Sequence, residues 1–364
     1  MKRKTIFLVG ADTGGHVVPV FALAKDLENH GCRVFVLGVG TQIEKKFYNK
    51  LKKTTYLKLL AGKLRPGKVL QNAYSLLLSA LGFFQSLALI IINRPSVVFL
   101  KGNYATIPMA YAAKLLLVPI VIHESDAIIG KSNRTISAFA KTVFVSYPVE
   151  TYKNQNKLIY SGLIMRDDFD KDLKNPLQYF NLDPNRKTIL ILGGSLGAHS
   201  INQAVFKTIN QLSESYQVIH QTGSEDFVQA KEIKNQLDKD RQKYYMPVDF
   251  LEDNLFDALK RSDLVISRSG SMVMELAALN KPVILIPYPY AAADHQTANA
   301  KFFEDKGAAV VIDGKNISPT TFYSEITKTI TNPNKLKALA GNMHGSIRLN
   351  GRELVVNKLL EYLK

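Results

Sequence analysis

Two glycine-rich turns hold the residues best placed to do chemistry. Gly10-Ala11-Asp12-Thr13-Gly14-Gly15-His16 follows the apolar run 5–9, and Gly193-Gly194-Ser195-Leu196-Gly197-Ala198 follows the apolar run 188–192. Each precedes a stretch with helical periodicity. A strand, a glycine turn and a helix in succession expose backbone N–H groups at the helix start, where a phosphate or another anion can sit. His16 ends the first turn. The helix dipole disfavours its protonated form, so the ring is expected to be neutral and able to accept a proton. His123-Glu124-Ser125-Asp126 follows the apolar run 119–122, at a strand end of the kind that binds ligands in open α/β sheets. Glu124 is the alternative base, or it orients His16 or the acceptor. Lys101-Gly102-Asn103-Tyr104 follows another apolar run and lines the same rim. In the second half, Ser267-Arg268-Ser269-Gly270-Ser271 opens a helix containing Glu275, and a carboxylate one turn into such a helix suits a ribose diol. Asp294-His295-Gln296-Thr297 offers polar groups to sugar hydroxyls. No His/Cys cluster has metal-ligand spacing. Asp168-Phe169-Asp170 sits in a dense charge run and reads as a solvated face, not a metal site.

These turns need strands and helices behind them. Apolar runs at 5–9, 33–37, 97–100, 119–122 and 142–145 alternate with helical stretches, and a second set lies at 188–192, 217–220, 264–266, 283–286 and 308–312. That alternation predicts α/β architecture with one parallel sheet per half. Two similar Rossmann-like lobes facing each other across a cleft are expected. The boundaries are an N-terminal domain over 1–160, a C-terminal domain over 161–349, and a last helix over 350–364 that crosses back to the first domain. A length of 364 residues suits two domains. The single cysteine, Cys32, rules out an intrachain disulfide and fits a reducing compartment.

Charge is uneven. Residues 1–160 carry 22 Lys+Arg against 7 Asp+Glu, and residues 161–364 carry 25 against 24. Within the basic half, residues 41–70 hold nine basic side chains and one acidic one. Such a patch implies an anionic partner surface. No basic–aromatic interleaving or zinc-finger spacing points to nucleic acid. The next segment points to membrane: Leu76 to Ile92 is seventeen residues without a charge, flanked by Lys63, Arg65, Lys68 and Arg94. Its polar residues Ser75, Ser79, Gln85 and Ser86 recur near helical spacing. Burial of this helix against the sheet is the first expectation. A helix dipping one face into an anionic bilayer surface is the second, and both can hold for different faces.

Together these motifs resemble the MurG family, bacterial family 28 glycosyltransferases of the GT-B fold. The resemblance runs along nearly the whole chain in order. Its carriers are Thr13-Gly14-Gly15-His16 with Pro19, Gly102-Asn103-Tyr104, His123 to Asp126 with Gly130-Lys131 and Asn133-Arg134, and Gly162 to Arg166. Gly193 to Ala198, Arg268-Ser269-Gly270 with Glu275, and His295-Gln296 with Asn299-Ala300 complete them. Asp126 stands where the family usually has Asn, and Leu163-Ile164 replace Asn-Pro.

The resemblance implies inverting transfer of N-acetylglucosamine from UDP-N-acetylglucosamine to the MurNAc C4 hydroxyl of lipid I, an undecaprenyl-diphosphate-linked acceptor, giving lipid II. No metal or other cofactor is expected. Ser195 and Arg166 would hold the donor diphosphate, Glu275 the ribose and the backbone near Leu251 the uracil. His295, Gln296 and Asp126 would face the sugar. Thr13, Gly14, Gly15, Ser271 and Met272 complete the donor contacts. Gly102, Asn103 and Tyr104 lie on the acceptor side, and His16 or Glu124 is the base. The implied location is the cytoplasmic face of the bacterial membrane, held peripherally. Other glycolipid glycosyltransferases such as a diacylglycerol glycosyltransferase, a UDP-N-acetylglucosamine 2-epimerase, and a non-catalytic nucleotide-sugar binder are the competing readings.

Overall fold

The computed structural model describes residues 4–65, 67–152, 157–165, 180–193, 197–251 and 254–363. The chain divides into two compact units, Met1–Asp167 with Arg348–Lys364, and Asp168–Ile347.

In the first unit, β1 (Thr5–Val9), β2 (Arg33–Gly38), β3 (Thr55–Lys58), β4 (Val97–Leu100), β5 (Ile120–Glu124), β6 (Thr142–Val145) and β7 (Leu158–Tyr160) form one sheet among the described residues, in the order β3-β2-β1-β4-β5-β6-β7. Every pairing is parallel. β1, β4, β5 and β6 are buried at every residue, because crossover helices cover both faces of a parallel sheet. The strand order reverses between β1 and β4, whose carboxyl ends therefore border the crevice where such sheets bind ligands. Its helices include α1 (Gly14–Asn29), α2 (Gln42–Tyr48), α3 (Val69–Asn93), α4 (Thr106–Leu115) and α5 (Lys131–Ser137), of which α1 packs Val17, Val20, Leu23, Ala24 and Leu27 into the core. The final helix, Gly351–Glu361, adds Val355, Val356 and Leu359 to the same core.

The second unit repeats the plan. β8 (Thr188–Leu192), β9 (Gln217–Gln221), β10 (Tyr245–Val248), β11 (Leu264–Ser267), β12 (Val283–Leu285) and β13 (Ala309–Val311) form a sheet in the order β10-β9-β8-β11-β12-β13 among the described residues. Its reversal lies between β8 and β11. Ile189, Ile191, Ile201, Val205, Ile209 and Leu212 are central to its core.

β3, β7 and β10 lie at sheet edges and match none of the expected apolar runs. Edge strands need only one apolar flank. β3 reads Thr-Tyr-Leu-Lys, and β10 carries Pro247, whose missing N–H is tolerated at an edge.

The apolar helix departs from its first expectation. α3 (Val69–Asn93) does not bury its apolar side against the sheet: its buried residues are Ser75, Gly82, Ser86 and Ile90. Its polar stripe faces inward onto the extended segment after β3. Gln85 Oε1 accepts from the Leu60 N–H at 2.9 Å and its Nε2 donates to the Lys58 carbonyl at 2.9 Å. Ser79 Oγ accepts from the Gly62 N–H at 3.1 Å, Ser75 Oγ donates to the Lys63 carbonyl at 3.1 Å, and Asn72 bonds the Arg65 backbone in both directions at 2.8 Å. The approach is tight enough to require glycine on each side. A Cβ on Gly82 would lie 1.8 Å from the Leu60 carbonyl oxygen, and one on Gly62 would lie 2.1 Å from that of Ser75. The Leu59 N–H still bonds the Gly38 carbonyl of β2, at 2.6 Å, and beyond it the backbone at Leu60, Gly62, Lys63 and Arg65 takes partners from side chains of α3. Leu70, Tyr74, Leu77, Leu81, Phe84 and Ile91 are left exposed on the outside.

Candidate functional site

In the first unit the glycine turn leaves β1 and enters α1 at the strand-order reversal. A Cβ on Gly10 would meet Val20 Cγ2 at 2.5 Å and the His16 carbonyl oxygen at 2.6 Å, so the turn closes only with glycine there. Asp12 takes the left-handed φ of 77°. It is held by its N–H donating to Glu44 Oε1 at 2.9 Å and by Lys63 Nζ at 3.0 Å from its carboxylate. Glu44 is fully buried and also accepts from the Gly40 N–H and the Tyr56 hydroxyl, both at 2.7 Å. Thr13 is the N-cap of α1, but its hydroxyl does not cap the helix: it lies 2.9 Å from His16 Nδ1. The first turn of α1 thus keeps backbone N–H groups without a side-chain cap, as an anion site requires.

His16 is half-buried in the first turn of α1, and its pKa is lowered to about 4. The main cause is desolvation, followed by the Lys101 ammonium; Asp126, Asp12 and a Gly102 backbone hydrogen bond oppose them. The ring is neutral, as an acceptor of a proton must be, and burial rather than the helix dipole is the leading reason.

The second candidate base sits differently. Glu124 is buried at the end of β5. Its Oε1 accepts from the N–H groups of Ser125 at 2.8 Å and Asp126 at 3.1 Å, and its Oε2 from the Gly130 N–H at 2.8 Å and Asn133 Nδ2 at 3.0 Å. Burial and the neighbouring Asp126 push its pKa up, against those donors. A carboxylate with four N–H partners ties the loop 125–130 to α5 (Lys131–Ser137), and its lone pairs are engaged there and not on His16. Asn103, expected on the acceptor side, is also a brace. Its Nδ2 donates to the Ala11 carbonyl at 2.6 Å and its Oδ1 accepts from the Ala105 N–H at 2.9 Å. Gly102 permits Asn133 to pack on it, since a Cβ would lie 2.2 Å from Asn133 Nδ2. Tyr104 borders the turn with Lys63 over its ring at 5.7 Å. Asp126 is half-buried, and its carbonyl accepts from the Tyr152 hydroxyl at 2.9 Å.

Two residues of this region do more than the sequence indicates, which places Lys101 only on the rim and assigns Glu44 no role. Lys101, just beyond β4, is 1% exposed, and its Nζ donates to His123 Nδ1 at 2.8 Å and to Ser125 Oγ. Glu44 had a legible signal: it is the one acid in a strongly basic stretch, and Thr41-x-x-Glu44 has capping-box spacing.

Arg166, Ser195 and the Asp168–Asp170 pair lie outside the described residues. What surrounds the second glycine turn is ordered by buried polar contacts. A Cβ on Gly197, at φ 80°, would lie 2.5 Å from the Thr222 carbonyl oxygen. Asn202 Nδ2 donates to that carbonyl at 2.8 Å and to Asp226, and its Oδ1 lies 2.9 Å from His220 Nε2. Arg268 Nη1 bonds the carbonyls of Ile286 and Pro287, and its Nη2 donates to Ser200 Oγ at 2.8 Å. Arg268 therefore braces the carboxyl ends of β11 and β12 against the start of the helix His199–Ser215. Ser271 is exposed, while Met272 and Glu275 are half-buried at the start of the helix Met272–Ala278. Gln296 Oε1 accepts from the Tyr288 N–H at 2.9 Å, and His295 Nδ1 lies 2.7 Å from the Ala292 carbonyl oxygen, so both side chains line the β12–helix loop. The Leu251 N–H donates to Gln221 Oε1 at 3.0 Å, so that donor is engaged by the protein itself. Among the described residues no three His, Cys, Asp or Glu side chains converge as a metal site.

Two parallel α/β units, each with a glycine turn after the first strand on one side of its reversal point, define the GT-B class of glycosyltransferases. The chain belongs to glycosyltransferase family 28: the N-terminal domain of that family matches residues 6–145 and its C-terminal domain residues 188–353. Among its relatives is a protein of Treponema denticola, 31% identical over 338 residues, 88% of this chain and 86% of that one. Another, from Desulforamulus reducens, is 32% identical over 350 residues, 92% of each. Both are named UDP-N-acetylglucosamine–N-acetylmuramyl-(pentapeptide) pyrophosphoryl-undecaprenol N-acetylglucosamine transferase. The crystal structure of Acinetobacter baumannii MurG is similar with a TM-score of 0.76 and 26% identity, covering 98% of this chain and 99% of that one.

Proposed function

We propose that this chain transfers N-acetylglucosamine from UDP-N-acetylglucosamine to the MurNAc C4 hydroxyl of lipid I, giving lipid II with inversion at the anomeric carbon. The observation that carries the reading is an imidazole in the uncapped first turn of α1, at the reversal point of the first sheet, in a chain that keeps both family 28 domains. In an inverting transfer the acceptor oxygen attacks C1 as UDP leaves, and a base must take the hydroxyl proton. His16 is that base. Glu124 is a positioning residue that fixes the loop carrying Asp126, which faces the sugar with His295 and Gln296. Arg166 and Ser195 receive the leaving diphosphate, a role that a cation and backbone N–H groups fill without a metal. Glu275 holds the ribose and the backbone near Leu251 the uracil, by groups other than the Leu251 N–H, which Gln221 engages. The uncapped first turn of α1, with Thr13, Gly14 and Gly15, offers further donors to an anionic group of the substrates.

The lipid acceptor explains the first unit's surface. The exposed apolar face of α3 lies next to the basic stretch 41–70, which suits an anionic bilayer surface. α3 has the length and apolar content of a membrane span. Its polar stripe is bonded to segment 58–65 along the helix, so it is held to its domain and meets lipid on one side only. This one-sided exposure supports a peripheral enzyme, and the cytoplasmic face of the membrane is the location the family resemblance implies.

The test is incubation with radiolabelled UDP-N-acetylglucosamine and lipid I in EDTA, with product identification. Formation of lipid II is expected. Glycosylation of diacylglycerol but not lipid I, epimerised UDP-sugar without any acceptor, or activity restored only by magnesium or manganese would overturn the corresponding part of the reading.

A further inference from the structure

A lysine that is 1% exposed, directly beneath the first glycine turn, is an expensive feature unless its charge is used. Lys101 follows β4, whose neighbours are β1 and β5. Its backbone N–H bonds the Val9 carbonyl at 2.9 Å, at the end of the strand that leads to His16. Its ammonium donates to His123 Nδ1 at 2.8 Å and to Ser125 Oγ, both on the β5 side. Accepting that bond fixes His123 as the tautomer with its proton on Nε2, directed at the Gly162 carbonyl 3.4 Å away. His123 is thereby an uncharged prop, and the ammonium is held in place at the reversal point. The next residue, Gly102, makes the backbone hydrogen bond to His16. The charged groups acting on His16 are Lys101 beyond β4, Asp126 beyond β5 and Asp12 beyond β1. Two carboxylates would draw a proton onto the ring; Asp12 is already paired with the exposed Lys63 at 3.0 Å, and Lys101 is the buried cation that acts on the ring against them.

We infer that Lys101 is a positioning residue of the transfer site, whose buried ammonium, seated on His123 and Ser125, works against Asp12 and Asp126 and adds to burial in keeping His16 free of a proton. The inference deepens the reading of His16 as the base and rests on it for its consequence in catalysis. The electrostatics agree in direction: the Lys101 ammonium lowers the His16 pKa, and burial lowers that of Lys101 itself to about 8.

The experiment is an NMR titration of the protein labelled at its histidine Cε1 positions, with His16→Ala identifying the His16 signal among the seven histidines. In the wild type the His16 signal is expected to show a second inflection near pH 8, as the ammonium loses its proton. In Lys101→Met that inflection vanishes and the His16 midpoint rises by about 1–3 units, the usual effect of removing a like charge while carboxylates remain. The acid limb of the kcat profile should rise with it. A wild-type signal without the upper inflection, or a Lys101→Met midpoint unchanged from wild type, overturns the inference. The wild-type arm decides it even if the variant fails to fold. If the His16 midpoint moves and the kcat limb does not, Lys101 stands as inferred and the base assignment of His16 fails instead.

Discussion

Replacing Leu70, Leu77 and Phe84 together by Gln should detach the protein from lipid vesicles without unfolding it. The three positions are seven residues apart, so they lie along one line of α3. They are 87%, 57% and 65% exposed, so folding has left most of their apolar surface in water. Burying an apolar side chain of this size is worth ~1.5–3 kcal/mol. Scaled by those exposures the three amount to about two side chains, or ~3–6 kcal/mol of transfer into lipid. That corresponds to a loss on the order of 10²–10⁴-fold in the vesicle partition coefficient. Gln leaves net charge unchanged, so attraction by the basic stretch remains and can be read separately from its salt dependence. Sedimentation with vesicles containing anionic phospholipid measures the loss. The urea midpoint should stay within about 0.5 kcal/mol of wild type, since the outer face of α3 contributes little to the core. A triple variant that binds vesicles within about threefold of wild type would refute the argument, because an apolar contact through this face must lose far more.

Other consequences follow from the site. His16→Ala should lower kcat by ~10²–10⁴-fold while UDP affinity by calorimetry changes little, and a near-normal kcat would remove His16 from proton transfer. Arg166→Ala should weaken UDP binding by ~1.5–3 kcal/mol, and an unchanged calorimetric titration would count against a diphosphate contact. Glu124→Gln places an amide NH₂ against two of the four N–H groups that the carboxylate now satisfies, so stability should fall by about 2–4 kcal/mol. An unchanged denaturation midpoint with activity lost would instead return Glu124 to the chemistry. The folded-state pKa values of about 4 for His16 and about 3 for His220 lie below the usual ~6.5. Between those limits the unfolded chain binds more protons, so this contribution to stability is present above pH ~6.5 and is lost as pH falls toward 4. Urea midpoints at pH 7.5 and pH 5 check the sign, and a higher midpoint at pH 5 would contradict it.

The central strands were legible because of where they sit. β1, β4, β5 and β8 have both faces covered, so they need continuous apolar runs such as Thr5–Val9 and Thr188–Leu192, and such runs stand out. Edge strands lack that requirement, and nothing in Thr55–Lys58 or Leu158–Tyr160 separates them from loop. α3 was legible as a helix but not in its orientation. Ser75, Ser79 and Gln85 at helical spacing say that one side differs from the rest. They do not say that this is the inner side. The rule that apolar faces go inward assumes water outside and a partner with satisfied backbone inside. Here the partner is an extended segment needing hydrogen bonds, and the polar stripe supplies them.

The chemistry was legible to the extent that one local stretch carries it. Gly10 to His16 holds its glycines, cap and imidazole within seven residues, so spacing alone marks it. Glu124 differs, because its role depends on which N–H groups converge on the carboxylate. Three come from the turn just after it, but the fourth is Asn133 on α5, and a sequence gives no means of counting them. Lys101 is harder still. After an apolar run it looks like an ordinary charged residue leaving a strand. Only the adjacency of β4 with β1 and β5 converts it into a buried cation beside two histidines and two carboxylates. A polar residue that closes an apolar run at the reversal point of a parallel sheet is therefore a better candidate for function than its composition suggests. The strand fixes its backbone, the neighbouring strands fix its partners, and the carboxyl end faces the ligand.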